Sequence, residues 1–182
     1  IHEYKRQLLN ALHALALLRR LREGRHDGVA RTVIFAGKAA PGYAMAKRII
    51  RLIHAVGSLI DAEPAARGKL KVAFLPNYSV SVAELLFPAC ELSQQISTAG
   101  MEASGTGNMK AALNGALTIG TMDGANVEMC DAVGIENMFI FGHTAPEIVD
   151  LRIRGARSQE FINANPELDR VIKEIETGEI EK

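Results

Sequence analysis

The sequence is short of cysteine and carries no surplus of either charge. Its 182 residues contain two cysteines, Cys90 and Cys130, in no CxxC pair and no spacing that reads as a disulfide framework. A disulfide-stapled secreted scaffold is thereby excluded, and a reducing, cytoplasmic setting is the simplest expectation. Lys plus Arg and Asp plus Glu number 21 each. With no net field, nothing argues for nucleic acid or an anionic membrane as a partner. No apolar run approaches the roughly 20 residues needed to cross a bilayer. The N-terminus does not read as a signal peptide, so neither membrane insertion nor export is expected. Five histidines, His2, His13, His26, His54 and His143, form no metal-ligand spacing, and no metal is expected. Internal repeats and low-complexity segments are also missing.

What remains is ordinary globular material: 48% apolar and 23% charged residues. The length suits one α/β domain with a real core, and the expectation is a single partial domain over residues 1–182. "IHEYKRQLLNALHALALLRRLRE" enters a helical pattern at once, without a capping turn, as if cut from something larger. Its Leu8, Leu12 and Leu15 fall on one face and Leu17 and Leu21 on another, which predicts a helix covered on both sides. "RTVIFAG" and "KLKVAFLPN" read as buried strands. Between them Ala46, Ile50, Ile53 and Ile60 keep helical spacing up to Pro64. "SVSVAELLFPACE" predicts a helix interrupted near Pro88, and "SQQIS" a short extended piece. "NMKAALNGA" reads as a short helix, "LTIGTMDG" as a strand and turn, "NMFIFG" as a further strand, and the region around "NPELDRVIKEIE" as helical. Alternating strands and helices predict a Rossmann-like, doubly wound parallel sheet. In that architecture ligands sit beyond the strands' carboxyl ends. Gly37-Lys38, Asn77-Tyr78, the Ser104–Gly107 turn and Asp123-Gly124 all follow such ends.

The most informative stretch is "EASGTGNMKAALNGALTIGTMDGANVEM", Glu102 to Met129, with five glycines and a single cation, Lys110. Ser104-Gly105-Thr106-Gly107 leads into a helix at Asn108. Glycines allow close backbone approach, and successive N–H groups with a helix N-terminus favour an anion. The spacing matches neither the dinucleotide fingerprint nor a Walker A loop, because Lys110 is where a third glycine would stand and Ala111 follows it. By spacing alone the turn serves a phosphate or is merely structural. Lys110 is a phosphate contact, a covalent anchor for a carbonyl cofactor, or a solvated surface lysine.

This stretch, together with "IHEYKRQLLN", "GKAAPGYAMAK" and "NYSVSVAE" in the same order, resembles the α-glucan phosphorylases, the family of glycogen, starch and maltodextrin phosphorylases. The resemblance covers essentially the whole chain. It implies the pyridoxal-phosphate-binding C-terminal half of a two-domain GT-B-type glycosyltransferase. It further implies an enzyme that cleaves α-1,4-glucan with orthophosphate to release glucose 1-phosphate with retention. In that family the phosphate group of pyridoxal 5'-phosphate works as a proton relay. By the same resemblance Lys110 carries the cofactor covalently. Thr106, Gly107 and Gly105 cradle its phosphate, Lys5 stands near that phosphate, and Tyr78 lies near the ring. Lys110 and Lys5 are thus the expected catalytic positions. Glu102, Ala103, Ser104 and Gly105 are expected to meet the sugar hydroxyls, and the parent enzyme is expected to be a homodimer.

Each position also has a plainer reading. Lys5 alone would be a solvated lysine, Glu102 a surface carboxylate, Asn77 and Tyr78 turn residues, and Tyr43 a core aromatic. Lys38 is left unassigned. Set against the family's pattern, this chain is expected to lack the large N-terminal domain, the Lys-Arg pair before "IHEYK" and the last helices of the second domain. Ala111 and Ala112 replace bulkier residues, and Met101 stands where Thr or Tyr is common. Catalysis tolerates little loss of positioning, so the chain alone is expected to turn over little or not at all. Two other readings stay open: a non-catalytic Rossmann-like module with weak or no ligand binding, and a nucleotide-sugar glycosyltransferase.

Overall fold

The computed structural model describes residues 1–178 and 180. In chain order the first half holds α1 (Gln7–Arg22), β1 (Arg31–Ala36), α2 (Ala44–Ala62), β2 (Leu70–Leu75), α3 (Val80–Ala89) and β3 (Leu92–Gln95). The second half holds α4 (Gly107–Leu113), β4 (Leu117–Gly120), α5 (Asn126–Val133), β5 (Phe139–Ile140), α6 (Ala145–Ile153), α7 (Ser158–Ala164) and α8 (Pro166–Glu176). These elements fall into two compact units. One comprises Ile1–Glu3, Gln7–Asn77 and the chain from Arg157 onward, and the other Tyr4–Arg6 and Tyr78–Ala156.

The first unit is a βαβ motif backed by helices. β1 and β2 pair in parallel, with Val33 opposite Val72 and Phe35 opposite Phe74, so α2 is the crossover that parallel pairing requires. Apolar residues of α2 recur every three or four positions, and Ala46, Ile49, Ile53, Val56 and Ile60 are buried. Ile49, one position before the expected Ile50, is the deeper of the two. The helix ends where Glu63 turns extended and Pro64 follows. α1 buries Asn10, Ala11, Ala14, Leu15, Leu17, Leu18 and Leu21. At about 100° per residue these fill one arc roughly 160° wide. The expectation of two covered faces is therefore corrected: Leu15 and Leu17 are the two edges of one broad stripe, and Leu8 lies outside it, 41% exposed. The core joins α1, β1, α2, β2 and Val171 of α8. Burying a side chain such as Leu15, Leu18 or Ile53 stabilises by about 2 kcal/mol.

The second unit holds a separate parallel sheet in the order β3-β4-β5. Leu92 faces Leu117, Gln95 faces Gly120 and Ile119 faces Phe139. The parallel α/β expectation holds, with the pairing divided between two sheets. α3 starts at a capping Ser79, whose Oγ accepts the Val82 N–H at 3.4 Å. It also runs through Pro88 to Ala89, so the expected interruption is corrected to an ending. In the last turn a proline removes one hydrogen bond and steers the chain outward. Among the described residues no helix is long and apolar enough to cross a membrane.

Candidate functional site

The second unit's interior is polar where its loops meet. Beyond β3 the chain runs through Ile96–Gly100 to the glycine-rich turn. Its course is set by Asp123, which is 5% exposed. The Asp123 carboxylate accepts the Ser97 hydroxyl at 2.5 Å, the Gly100 N–H at 2.8 Å and the Glu102 N–H at 3.0 Å. Thr121 Oγ1 donates to the Ser97 carbonyl at 2.7 Å. The Ala125 N–H holds the Ser104 carbonyl at 2.7 Å. That approach needs a glycine at 124: a Cβ there would sit 2.5 Å from the Ser104 oxygen, at a φ of +54° that L side chains rarely adopt.

A second buried amide secures α4. Asn126, 2% exposed, donates to the Gln95 carbonyl at 3.1 Å and the Thr121 carbonyl at 3.0 Å. Its oxygen accepts from the Asn108 side chain at 2.9 Å, and the Asn108 oxygen accepts the Met109 N–H at 2.9 Å. Buried polar groups satisfied this fully hold one arrangement, because releasing any partner strands the others away from water.

Tyr4–Arg6 is stitched to the same loop. The Thr98 N–H donates to the Tyr4 carbonyl at 2.8 Å, and Arg6 Nε donates to the Ile96 carbonyl at 2.6 Å. Arg6 adopts the left-handed conformation, with φ of 58°, which turns the chain after Lys5. Lys5 Nζ donates to Glu102 Oε2 in a close ion pair, and the Tyr4 hydroxyl donates to the same oxygen at 3.2 Å. Burial opposes the charge on Lys5, but hydrogen bonds and attraction from Glu102 and Tyr4 outweigh it and leave the ammonium above its ordinary value. The Lys5 hydrogen bond holds the Glu102 carboxyl below the usual range. Partial burial and the like charge of Asp123 oppose that effect.

The turn itself is open. Ala103, Ser104 and Thr106 are exposed, and Gly105 holds φ of +80°. Among the described residues, the N–H groups of Thr106 and Gly107 meet no protein acceptor. Lys110 is exposed on α4, and no acceptor engages its ammonium among the described residues. One turn apart, Lys110 and Asn114 share a helix face. With Val80, Ala83, Glu84, Phe87 and Pro88 of α3 they line an open concavity of about 320 Å³. The arrangement offers free N–H donors, an uncommitted amine and an apolar wall. Such a set suits an anion joined to a flat apolar body.

A family model described as "Carbohydrate phosphorylase" matches residues 1–182. The chain belongs to the carbohydrate phosphorylase family. Its parallel α/β units are in keeping with the GT-B architecture of that family. The chain is 57% identical over 179 residues to the glycogen phosphorylase, muscle form, of Homo sapiens, a match covering 98% of this chain and 21% of that protein. It is 56% identical to the human liver form and 54% identical to the brain form of Ovis aries, with the same coverage. The chain therefore spans about a fifth of the length of these relatives.

Of the residues picked out in the sequence, Lys5 and Glu102 are in direct contact. Ala103, Ser104, Gly105, Thr106 and Gly107 form the open turn, and Lys110 stands one helical turn behind it. Tyr78 is half-buried just before α3 and makes no polar contact with the turn among the described residues. In the other unit, Tyr43 donates from its hydroxyl to Glu3 at 2.8 Å. The sequence places Asp123 only beyond a strand end and Asn108 only at the start of a helix; the hydrogen bonds through which Asp123, Asn108 and Asn126 shape the site come from the structure.

Proposed function

We propose that this chain is the pyridoxal-phosphate-binding portion of an α-1,4-glucan phosphorylase, a glycosyltransferase that cleaves α-1,4-glucan with orthophosphate to give glucose 1-phosphate. In this reading the 182 residues form one partial domain of a longer cytoplasmic, homodimeric enzyme. The observation that carries it is the pairing, among the described residues, of an unengaged Lys110 with a turn whose Thr106 and Gly107 N–H groups meet no protein acceptor. Membership of the phosphorylase family and identity to glycogen phosphorylases support the same reaction.

The residues present fit the cofactor. The concavity beside Lys110 has an apolar wall for a ring, and the Gly105–Gly107 backbone has donors for a phosphate. Pyridoxal phosphate, when bound, supplies a phosphate group that passes a proton to the substrate phosphate. Lys110 anchors the cofactor through its amine. Thr106 and Gly107 donate N–H groups to its phosphate. Two phosphates close together repel strongly unless cations and N–H donors surround them, and Lys5, paired with Glu102 at the start of this turn, supplies a cation. Glu102 accepts from a sugar hydroxyl while its other contacts keep it ionised. Ala103, Ser104 and Gly105 offer backbone groups to the same sugar, and Tyr78 borders the cofactor ring.

Absorbance of the chain incubated with pyridoxal phosphate tests this. A new near-ultraviolet band that survives gel filtration and is abolished by Lys110→Ala is expected. No retained band, or one indifferent to that substitution, overturns the assignment.

A further inference from the structure

We propose that Asp123 is a positioning residue: its carboxylate holds Ser97, Gly100 and Glu102 in one arrangement that sets the Glu102 side chain against Lys5. This rests on the reading of Glu102–Gly105 as the loop that faces sugar and cofactor.

Three donors converge on this one buried side chain. Oδ2 accepts from the Ser97 hydroxyl at 2.5 Å and the Glu102 N–H at 3.0 Å, and Oδ1 accepts from the Gly100 N–H at 2.8 Å. They mark the start, middle and end of the segment that delivers Glu102. Hydrogen bonds to an ionised acceptor are about twice as strong as neutral ones. The task needs a carboxylate, because every partner is a donor and an asparagine would turn its own NH2 toward one of them. The next residues complete the mould: Gly124 leaves room for the Ser104 carbonyl, and the Ala125 N–H holds it at 2.7 Å. Among the described residues the Asp123 side chain makes no hydrogen bond or ion pair with Lys5 or with Ala103–Gly107, so it acts through Glu102.

Charge and position pull Glu102 in opposite directions, and this separates a positioning role from a merely electrostatic one. The groups facing Glu102 are Lys5, Tyr4 and Asp123, with Arg6 in turn near Asp123. As a like charge, Asp123 opposes the ionisation of Glu102. Removing that charge alone would let Glu102 ionise at lower pH. Removing the position separates Glu102 from Lys5 and moves its titration to higher pH.

The experiment is a carbon-detected NMR titration of the Glu102 carboxyl in the chain, in Asp123→Asn, and in Ser93→Ala. The last removes a partly buried hydrogen bond of the same unit, from Gln95 to the Ser93 hydroxyl at 2.9 Å. The midpoint is expected to rise by about half a pH unit or more in Asp123→Asn and to stay put in Ser93→Ala. An unchanged or lowered midpoint in Asp123→Asn overturns the proposal. A second measurement needs no variant: the Gly100 and Glu102 amides of the unsubstituted chain should exchange at least about tenfold more slowly than that of Ala103. Equal rates overturn the proposal even if Asp123→Asn fails to fold. Uptake of pyridoxal phosphate is followed in parallel. If the midpoint rises in a chain that takes up no cofactor, positioning stands and the functional reading falls. Uptake with an unmoved midpoint does the reverse.

Discussion

Glu102 shows how much one side chain depends on its neighbours. Its backbone is held by Asp123, and its carboxylate by Lys5 and Tyr4. The Lys5 side chain is 39% exposed and that of Glu102 18%, so solvent screens the pair and it contributes at most about 1 kcal/mol. Its pH window follows from the two shifts. Glu102 lies below its ordinary value of 4.5, so its contribution is present above that pH and is lost as pH falls through the depressed folded value. Lys5 lies above 10.5, so its contribution is present below that pH and fades as pH rises through the raised one. A double-mutant cycle of Lys5→Met and Glu102→Gln, read by urea unfolding, should give coupling at neutral pH and none near about pH 2. Coupling that persists in acid would mean the charges are not its source.

At the scale of elements, α8 is attached to the first unit by buried Val171, with Ile175 packed against the same core, and by several ion pairs. Its start is capped by Asn165, which accepts the Glu167 and Leu168 N–H groups, both at 3.1 Å. Arg20 grips Glu167 through two hydrogen bonds of 2.8 and 2.6 Å, and Arg19 pairs with Glu174. Val171, 1% exposed, enters the core. Burial outweighs the exposed Arg20–Glu167 pairing, since such a pair loses in solvation and side-chain freedom most of what attraction supplies. Val171→Ala is expected to destabilise by about 2 kcal/mol through the cavity it leaves. Glu167→Gln should cost less than about 1 kcal/mol. Urea midpoints of the two variants decide; a larger loss from Glu167→Gln would show that charge, not packing, docks the helix.

For the whole molecule, the chain covers 21% of the length of its glycogen phosphorylase relatives. Rate depends on reacting groups held to within fractions of an ångström, and a misplacement of about 1 Å can cost about a hundredfold. With pyridoxal phosphate, orthophosphate and a maltodextrin, the chain is therefore expected to release glucose 1-phosphate at least about a hundredfold more slowly than a full-length family member. A phosphorolysis assay showing comparable rates would mean that these residues contain the complete catalytic machinery.

Much of this was legible in the residues alone. The alternation of strands and helices, the crossover between β1 and β2, and the Ser104–Gly107 turn ahead of Lys110 are local patterns. Periodicity and glycine placement report on backbone conformation over a few positions, and that information lies within the segment itself. The role of Asp123 is of another kind: it reads as a turn residue in "TMDGAN", and its partners lie 21 to 26 residues upstream. The width of the buried stripe on α1 and the contact between Lys5 and Glu102 are similar cases. Which side chains lose water, and which charges meet, depends on segments brought together by packing, so tertiary structure alone decided them.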